Sequence, residues 1–102
     1  MGVNVQLESE TGEPFEQLLD PNNRVAMLLP DWRDEPSTCL RFVDLYGDTV
    51  FNRLQVGFLI NELESAVLKT ADPSVAEHGR AILDLARKCS ANVHTYLRFL
   101  GD

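Results

Sequence analysis

Two helical segments joined by only three residues constrain the fold of this chain more than any other feature. Apolar residues recur at helical spacing over residues 53–69 and again over residues 73–91. The two stripes consist of Val56, Leu59, Ile60, Leu63 and Val67 in the first segment, and of Val75, Gly79, Ile82, Ala86 and Cys89 in the second. Because residues 70–72 are the whole connection, we expect the two helices to pack side by side and antiparallel.

Capping signals mark the start of both helices. Asn52 is followed three residues later by Gln55, the spacing of a capping box. Asp72 precedes Pro73, which suits the first helical position because proline lacks the amide hydrogen that would be unpaired there. Asn92 is predicted to end the second helix in a left-handed conformation.

The remaining segments predict a small sheet. Val3, Val5 and Leu7 alternate with polar residues, which is the period of a half-buried strand. On such patterns, strands are predicted at residues 3–8, 38–43, 49–51 and 93–100, and short helical turns at 15–19 and 24–29. Gly47 favours a tight turn, so the second and third of these strands are expected to form a hairpin. The prediction is a single α+β domain over residues 1–102, with a small, mainly antiparallel sheet of three to four strands and two main helices on one face.

The tripeptide Leu-Arg-Phe occurs twice, at residues 40–42 and 97–99. About one such coincidence is expected in a chain of this length, so the repeat is not evidence of duplication. We interpret both copies as strands of the same sheet, each with leucine and phenylalanine on one face and arginine on the other.

Charge and cysteine content narrow the classes of function. The chain of 102 residues carries a net charge of −7, which disfavours nucleic acid and anionic membrane surfaces as partners. Cys39 and Cys89 share no short motif and lie in apolar runs, as buried cysteines of a reducing compartment do. No signal peptide and no run long enough to span a bilayer are recognised, so a cytoplasmic location is predicted.

No established catalytic, metal-binding or cofactor-binding motif is present, and no such residue is predicted. His78 falls near the polar side of a helix and is interpreted as a solvated surface residue. His94 is placed in the last strand. Cys39 and His94 would form a thiolate pair only if their strands were neighbours, and a buried structural cysteine is the favoured interpretation.

Two acidic loops, DWRDE and DLYGD, carry large aromatic residues, Trp32 and Tyr46. Aromatic anchors surrounded by charge are typical of protein interfaces. The candidate partner-binding residues are Asp31, Trp32, Asp34, Glu35, Asp44, Tyr46 and Asp48. Two alternatives remain: the acids bind Mg²⁺ or Ca²⁺, although their spacing matches no calcium loop, or the aromatic rings fold back over the core.

The stretch DLYGDTVFNRLQ, residues 44–55, together with the LRF segment before it, resembles small acidic bacterial proteins of unassigned function. Some proteins of that general kind serve as immunity proteins for secreted toxins. The resemblance implies a bacterial cytoplasmic origin and a binding role, and it assigns no site residue.

The function expected from these features is that of a non-enzymatic protein-binding module. Its acidic loops would engage a basic protein partner, and an immunity or inhibitor protein is the most specific form of this hypothesis. One alternative is a small metal-dependent hydrolase that uses Asp44, Asp48 and His94. Another is a structural homo-oligomer, such as a homodimer, joined through a strand edge or a helix face.

Overall fold

A computed structural model describes residues 2–101, so Met1 and Asp102 of the predicted domain lie outside the described residues. The strands are β1 (Asn4–Ser9), β2 (Pro14–Leu18), β3 (Asp48–Asn52) and β4 (Thr95–Leu100), and the helices are α1 (Arg53–Lys69) and α2 (Pro73–Ala91). The four strands form one antiparallel sheet in the order β2-β1-β4-β3. The two helices pack against each other and against β1, β3 and β4. The predicted α+β class is therefore confirmed.

Both helices have the predicted bounds, and their starts are capped as predicted. The Asn52 side chain accepts from the backbone N–H of Gln55 at 2.9 Å, and the Gln55 side chain accepts from the backbone N–H of Asn52 at 2.9 Å. The Asp72 carboxylate accepts from the backbone N–H of Ser74 at 2.9 Å. These caps satisfy first-turn amides that have no partner within a helix, which explains why the local sequence fixes where each helix begins.

The predicted left-handed conformation of Asn92 is wrong. Asn92 is extended, with φ −127°, and its side-chain amide donates to the Lys88 carbonyl at 2.7 Å. Since the side chain itself satisfies a carbonyl of the last turn, the helix ends without a left-handed residue at this position. Between α2 and β4 it is His94 that has a left-handed conformation, with φ 61°. His94 precedes β4, so its predicted place in the last strand is wrong.

The helical turn predicted at residues 15–19 is wrong, because this segment forms the edge strand β2. Phe15 and Leu19, whose helical spacing suggested a buried face, are 59% and 61% exposed. The segment pairs with β1 in a register that sets Gln17 opposite Gln6. Pairing with a distant strand has therefore overridden a weak local pattern. The turn predicted at 24–29 is found as a 3₁₀ turn over Val25–Leu28.

The strand predicted at residues 38–43 is also wrong. This segment is a loop that ends in a 3₁₀ turn, Leu40–Phe42, so the two Leu-Arg-Phe copies do not share a sheet. The predicted hairpin consequently fails, and β3 pairs with β4 instead, with Val50 opposite Arg98. The physical reason is Glu62 of α1, whose carboxylate takes the backbone N–H groups that a strand would have offered to a neighbouring strand.

The core fills the space between the sheet and the helices. Its fully buried strand residues include Val5, Leu97 and Phe99, and Phe51 meets the Phe99 ring edge to face with centroids 5.8 Å apart. The helices contribute the buried side chains of Val56, Leu59, Leu63, Ile82, Ala86 and Cys89. Within residues 2–101, no helix covers the opposite face of the sheet, and it is on this face that the polar residues of β1 and β4 lie.

Two helical glycines provide a matched test of this packing. A Cβ atom at Gly79 would lie 2.5 Å from Val67 Cγ2 and 3.3 Å from Leu28 Cδ1, whereas one at Gly57 meets nothing within 4 Å. We expect Gly57→Ala to stabilise the protein by about 0.5–1 kcal/mol because alanine is the better helix former. We expect Gly79→Ala to destabilise it by about 1 kcal/mol, because overpacking exceeds that gain. Urea denaturation measures both, and shifts of the same sign would contradict the close contact at Gly79.

Candidate functional site

The two aromatic residues of the acidic loops lie on one shallow groove of about 390 Å³. Trp32 and Tyr46 are 71% and 83% exposed, so neither ring folds back over the core. The groove is lined by Ala26, Leu29, Pro30, Asp31, Trp32, Leu40, Arg41, Val43, Asp44, Leu45 and Tyr46. We call this surface the aromatic groove. It brings together four of the seven predicted partner-binding residues from two loops that are separated in the sequence.

The other three predicted residues lie outside the lining of this groove. Asp34 lines a neighbouring groove of about 400 Å³, and this second groove shares Pro30 and Leu40 with the first. Glu35 is exposed on the same loop. Asp48 lies on β3, where it is part of the sheet. The acidic loops therefore border two adjoining grooves rather than one compact cluster of carboxylates.

Internal arginines already neutralise two of the predicted acids. Asp31 pairs with Arg33 at 3.0 Å, and hydrogen bonds from Arg33 lower the pKa of the Asp31 carboxyl below its usual value. Asp48 accepts from Arg98 at 3.1 Å. Within residues 2–101, no salt bridge forms at Asp34, Glu35 or Asp44. The uncompensated charge of the two loops is thus carried by these three residues.

Glu62 fixes the segment that leads into the aromatic groove. Its carboxylate accepts from the Ser37 hydroxyl at 2.6 Å and from the backbone N–H groups of Thr38, Cys39 and Leu40 at 3.0, 3.1 and 2.9 Å. Burial by itself would raise the pKa of Glu62, but these hydrogen bonds outweigh it and hold the pKa below its ordinary value. Glu62 therefore remains charged at neutral pH.

Sequence reasoning missed this role of Glu62, although a signal was present. Glu62 lies three residues after buried Leu59 and next to buried Leu63, at the edge of the apolar stripe of α1. A charged residue at the edge of a buried helix face needs a partner, because an unpaired buried carboxylate is costly. Ser37 and Thr38, two hydroxyl residues ahead of an apolar turn, were available as donors.

A polar network crosses the face of the sheet that has no helices, and it too was missed. Glu8 is only 3% exposed and receives two hydrogen bonds from Arg98, at 2.7 and 3.1 Å. Gln6 donates to Glu8 at 2.9 Å and accepts from Gln17 at 2.6 Å. With the bond from Arg98 to Asp48, the network joins all four strands. Its members satisfy one another, so we assign the network to sheet stability rather than to binding.

The residues of the metal-dependent alternative take separate partners. Asp44 accepts from the backbone N–H of Tyr46 at 2.8 Å, Asp48 pairs with Arg98, and His94 lies 3.0 Å from Glu10. Over the described part of the chain, no group of three or more histidine, cysteine, aspartate or glutamate side chains is arranged to hold a metal ion. The geometry does not bring Asp44, Asp48 and His94 together as a ligand set.

Cys39 and His94 do not form the thiolate pair considered from the sequence. Cys39 lies in the loop held by Glu62, not in a strand, and its thiol donates to the Gln55 carbonyl at 3.5 Å. Burial raises the pKa of the Cys39 thiol, which keeps it protonated at neutral pH. His94 instead contacts Glu10.

No protein-family model, curated protein or solved structure matches this chain. The sequence and the geometry are therefore the basis of any functional argument. Among residues 2–101, no helix combines the length and the apolar character needed to cross a membrane.

Proposed function

We propose that this protein is a non-enzymatic binding module that engages a basic protein partner through the aromatic groove and the acidic loops beside it. The observation that carries the proposal is the joint exposure of Trp32 and Tyr46 around one apolar floor. An immunity or inhibitor protein of the bacterial cytoplasm is the most specific form of this function, in line with the resemblance at residues 44–55.

The arrangement has the features of an interface hot spot. Large aromatic side chains bring much contact area with few rotatable bonds, and their energetic weight in interfaces comes from burial in apolar surroundings. The groove that Trp32 and Tyr46 line provides such surroundings through Leu29, Pro30 and Leu40. Side chains as exposed as these two, placed together on an acidic protein, are best explained by a partner that covers them.

The first prediction from this proposal concerns the two rings. Once the partner has been isolated by affinity capture from the source organism's cytoplasm and purified, Trp32→Ala and Tyr46→Ala should each weaken binding by about tenfold or more. Isothermal titration calorimetry measures the dissociation constants. The control is Phe15→Ala, which removes an aromatic side chain from edge strand β2. Phe15 is 59% exposed in the parent, and the variant should bind the partner normally. Affinities unchanged by both groove variants would refute the proposal.

The second prediction concerns charge. Asp34→Lys with Glu35→Lys should slow association with a basic partner several-fold and weaken its dependence on salt, because exposed charges act mainly through long-range steering. Stopped-flow association at two salt concentrations measures the effect. Glu13→Lys with Glu77→Lys changes the net charge equally at exposed positions outside both acidic loops. An equal slowing by both double variants would show that overall charge, rather than these loops, guides association.

The exposed face of α1 favours self-association as a second candidate. Leu54, Phe58 and Leu68 are 72%, 65% and 86% exposed, so the outer face of α1 carries three large apolar side chains beside polar Asn61 and Ser65. A homodimer through this face would cover these side chains. Light scattering at two concentrations tests it: a dimer that becomes a monomer on Phe58→Glu supports it, and a monomer at both concentrations excludes it.

A further inference from the structure

A buried carboxylate fixes the start of the segment between β2 and the aromatic groove. The Asp20 side chain is fully buried and accepts from the backbone N–H groups of Val3, Arg24 and Val25 at 3.1, 2.7 and 3.1 Å. The backbone N–H of Asp20 in turn donates to the Asn4 side chain at 2.8 Å. Residues 20–28 are thus held at the beginning of β1 through the side chains of Asp20 and Asn4.

The second attachment of this segment is on α2, at the histidine that the sequence placed on the surface. His78 is in fact buried, with 7% of its side chain exposed, because the segment over residues 20–28 covers this turn of the helix. Its neighbour Gly79 lies so close to Leu28 that an added Cβ would be 3.3 Å from Leu28 Cδ1. The prediction of a solvated His78 is therefore wrong, since a covering segment cannot be read from helical periodicity alone.

The imidazole of His78 has a buried nitrogen, Nε2, without a hydrogen-bond partner among the described residues. Its Nε2 has no hydrogen bond within residues 2–101, and the nearest carboxylate oxygen, Oδ1 of Asp20, lies 3.8 Å away. That distance is too long for a hydrogen bond, although Asp20 Oδ1 accepts only one backbone amide, that of Arg24. A proton on Nε2 would therefore have no acceptor at hydrogen-bonding distance in the present packing.

The charged groups that act on the imidazole are Asp20 and Arg24, which oppose each other. Burial lowers the pKa of His78 below its ordinary value, Asp20 raises it in part, and Arg24 lowers it further. Burial therefore favours the neutral ring while the segment is closed, and the charged ring is better hydrated once the segment opens.

We propose that His78 is a proton-sensitive latch whose protonation in mild acid releases residues 20–28 from α2. The segment continues directly into Leu29 and Pro30, which line the aromatic groove. Release would therefore loosen the lining of this groove and weaken partner binding. This last consequence rests on the proposed function, whereas the release itself does not.

Amide hydrogen exchange at pH 7 and pH 5 tests the latch. After correction for intrinsic exchange, we expect Arg24 and Val25 to exchange about five- to thirtyfold faster at pH 5. The upper limit follows from an ordinary histidine pKa of about 6.5 in the open form. The amides of Leu97 and Phe99 in β4 report global unfolding, which also frees His78, so the amides of Arg24 and Val25 should have a smaller free energy of opening than these two at both pH values. Equal free energies of opening at all four amides would mean that residues 20–28 open only with the whole domain, and this result would overturn the latch.

Two variants distinguish the effect of His78 from that of His94. His78→Gln removes the titrating group and should abolish the acceleration, whereas His94→Asn, at an exposed position with positive φ that asparagine tolerates, should preserve it. Direct NMR titration of both imidazoles in the unmodified protein needs no variant. An ordinary titration of His78, close to that of a solvated histidine, would also overturn the proposal.

The link to binding is measured separately, as the partner's dissociation constant at pH 7 and pH 5 for the parent and for His78→Gln. Weaker binding of the parent alone at pH 5 supports control of the groove by the latch. Faster exchange at Arg24 with unchanged affinity would overturn that control and leave the latch itself in place. A partner that does not use the groove at pH 7 would instead refute the proposed function.

Discussion

Asp20→Ala is expected to destabilise the protein by about 3–5 kcal/mol. The change leaves the backbone N–H groups of Val3, Arg24 and Val25 without an acceptor; those of Val3 and Val25 are buried, and each buried group costs about 1–3 kcal/mol. For a domain whose total stability is on the order of 5–15 kcal/mol, this is a large fraction. The corresponding fall in melting temperature is about 15 °C or more.

Thermal and urea denaturation of three variants test this expectation. Asp20→Asn retains one oxygen that can accept a hydrogen bond. Its loss of stability should therefore lie between zero and that of Asp20→Ala. Asp84→Ala removes a carboxylate whose side chain is 74% exposed on α2, and it should change stability by less than about 0.5 kcal/mol. A loss at Asp20→Ala no greater than that of Asp84→Ala would contradict the anchoring role of Asp20.

Glu62→Gln is expected to lower the free energy of unfolding by about 2 kcal/mol at pH 7, because an amide has one acceptor oxygen whereas the carboxylate has two. This loss of stability is smaller than the number of hydrogen bonds suggests. Thr38 is exposed, so its backbone N–H and its hydroxyl can donate to water instead. The variant should also weaken partner binding, because Glu62 orders the segment that leads into the aromatic groove.

The pH dependence of Glu62→Gln provides a further check. Since the pKa of Glu62 is lowered in the folded state, its contribution is fully present above the unfolded value of about 4.3 and is lost as the pH falls through the folded pKa. The stability difference between parent and variant should therefore shrink below about pH 4. Glu64→Gln, on the exposed face of the same helix, should change stability by less than about 0.5 kcal/mol. A difference that persists at low pH would contradict the pairing of Glu62.

The candidate site was only partly predictable. Exposure of Trp32 and Tyr46 between acids is a local feature, and the sequence indicated both residues. The sequence did not show that Asp48 is neutralised by an arginine, because Arg98 lies 50 residues from Asp48 along the chain. It also did not show that Glu62 holds residues 37–40, since that contact joins residues 22 to 25 positions apart.

The sequence by itself determined the features that are encoded within a few neighbouring residues. The bounds of α1 and α2 follow from caps that act across two or three residues and from apolar spacing along a single helix face. The alternation in β1 and β4 is equally local, and it was enough to establish the α+β class.

Only the tertiary structure decided which segments pair and which side chains lose contact with water. Residues 14–18 became a strand because β1 was available, and residues 38–43 did not because Glu62 took their amides. His78 became buried because a segment some 50 residues earlier in the chain folds over it. Such outcomes depend on free-energy differences between alternative long-range contacts, and no local pattern of residues records those differences.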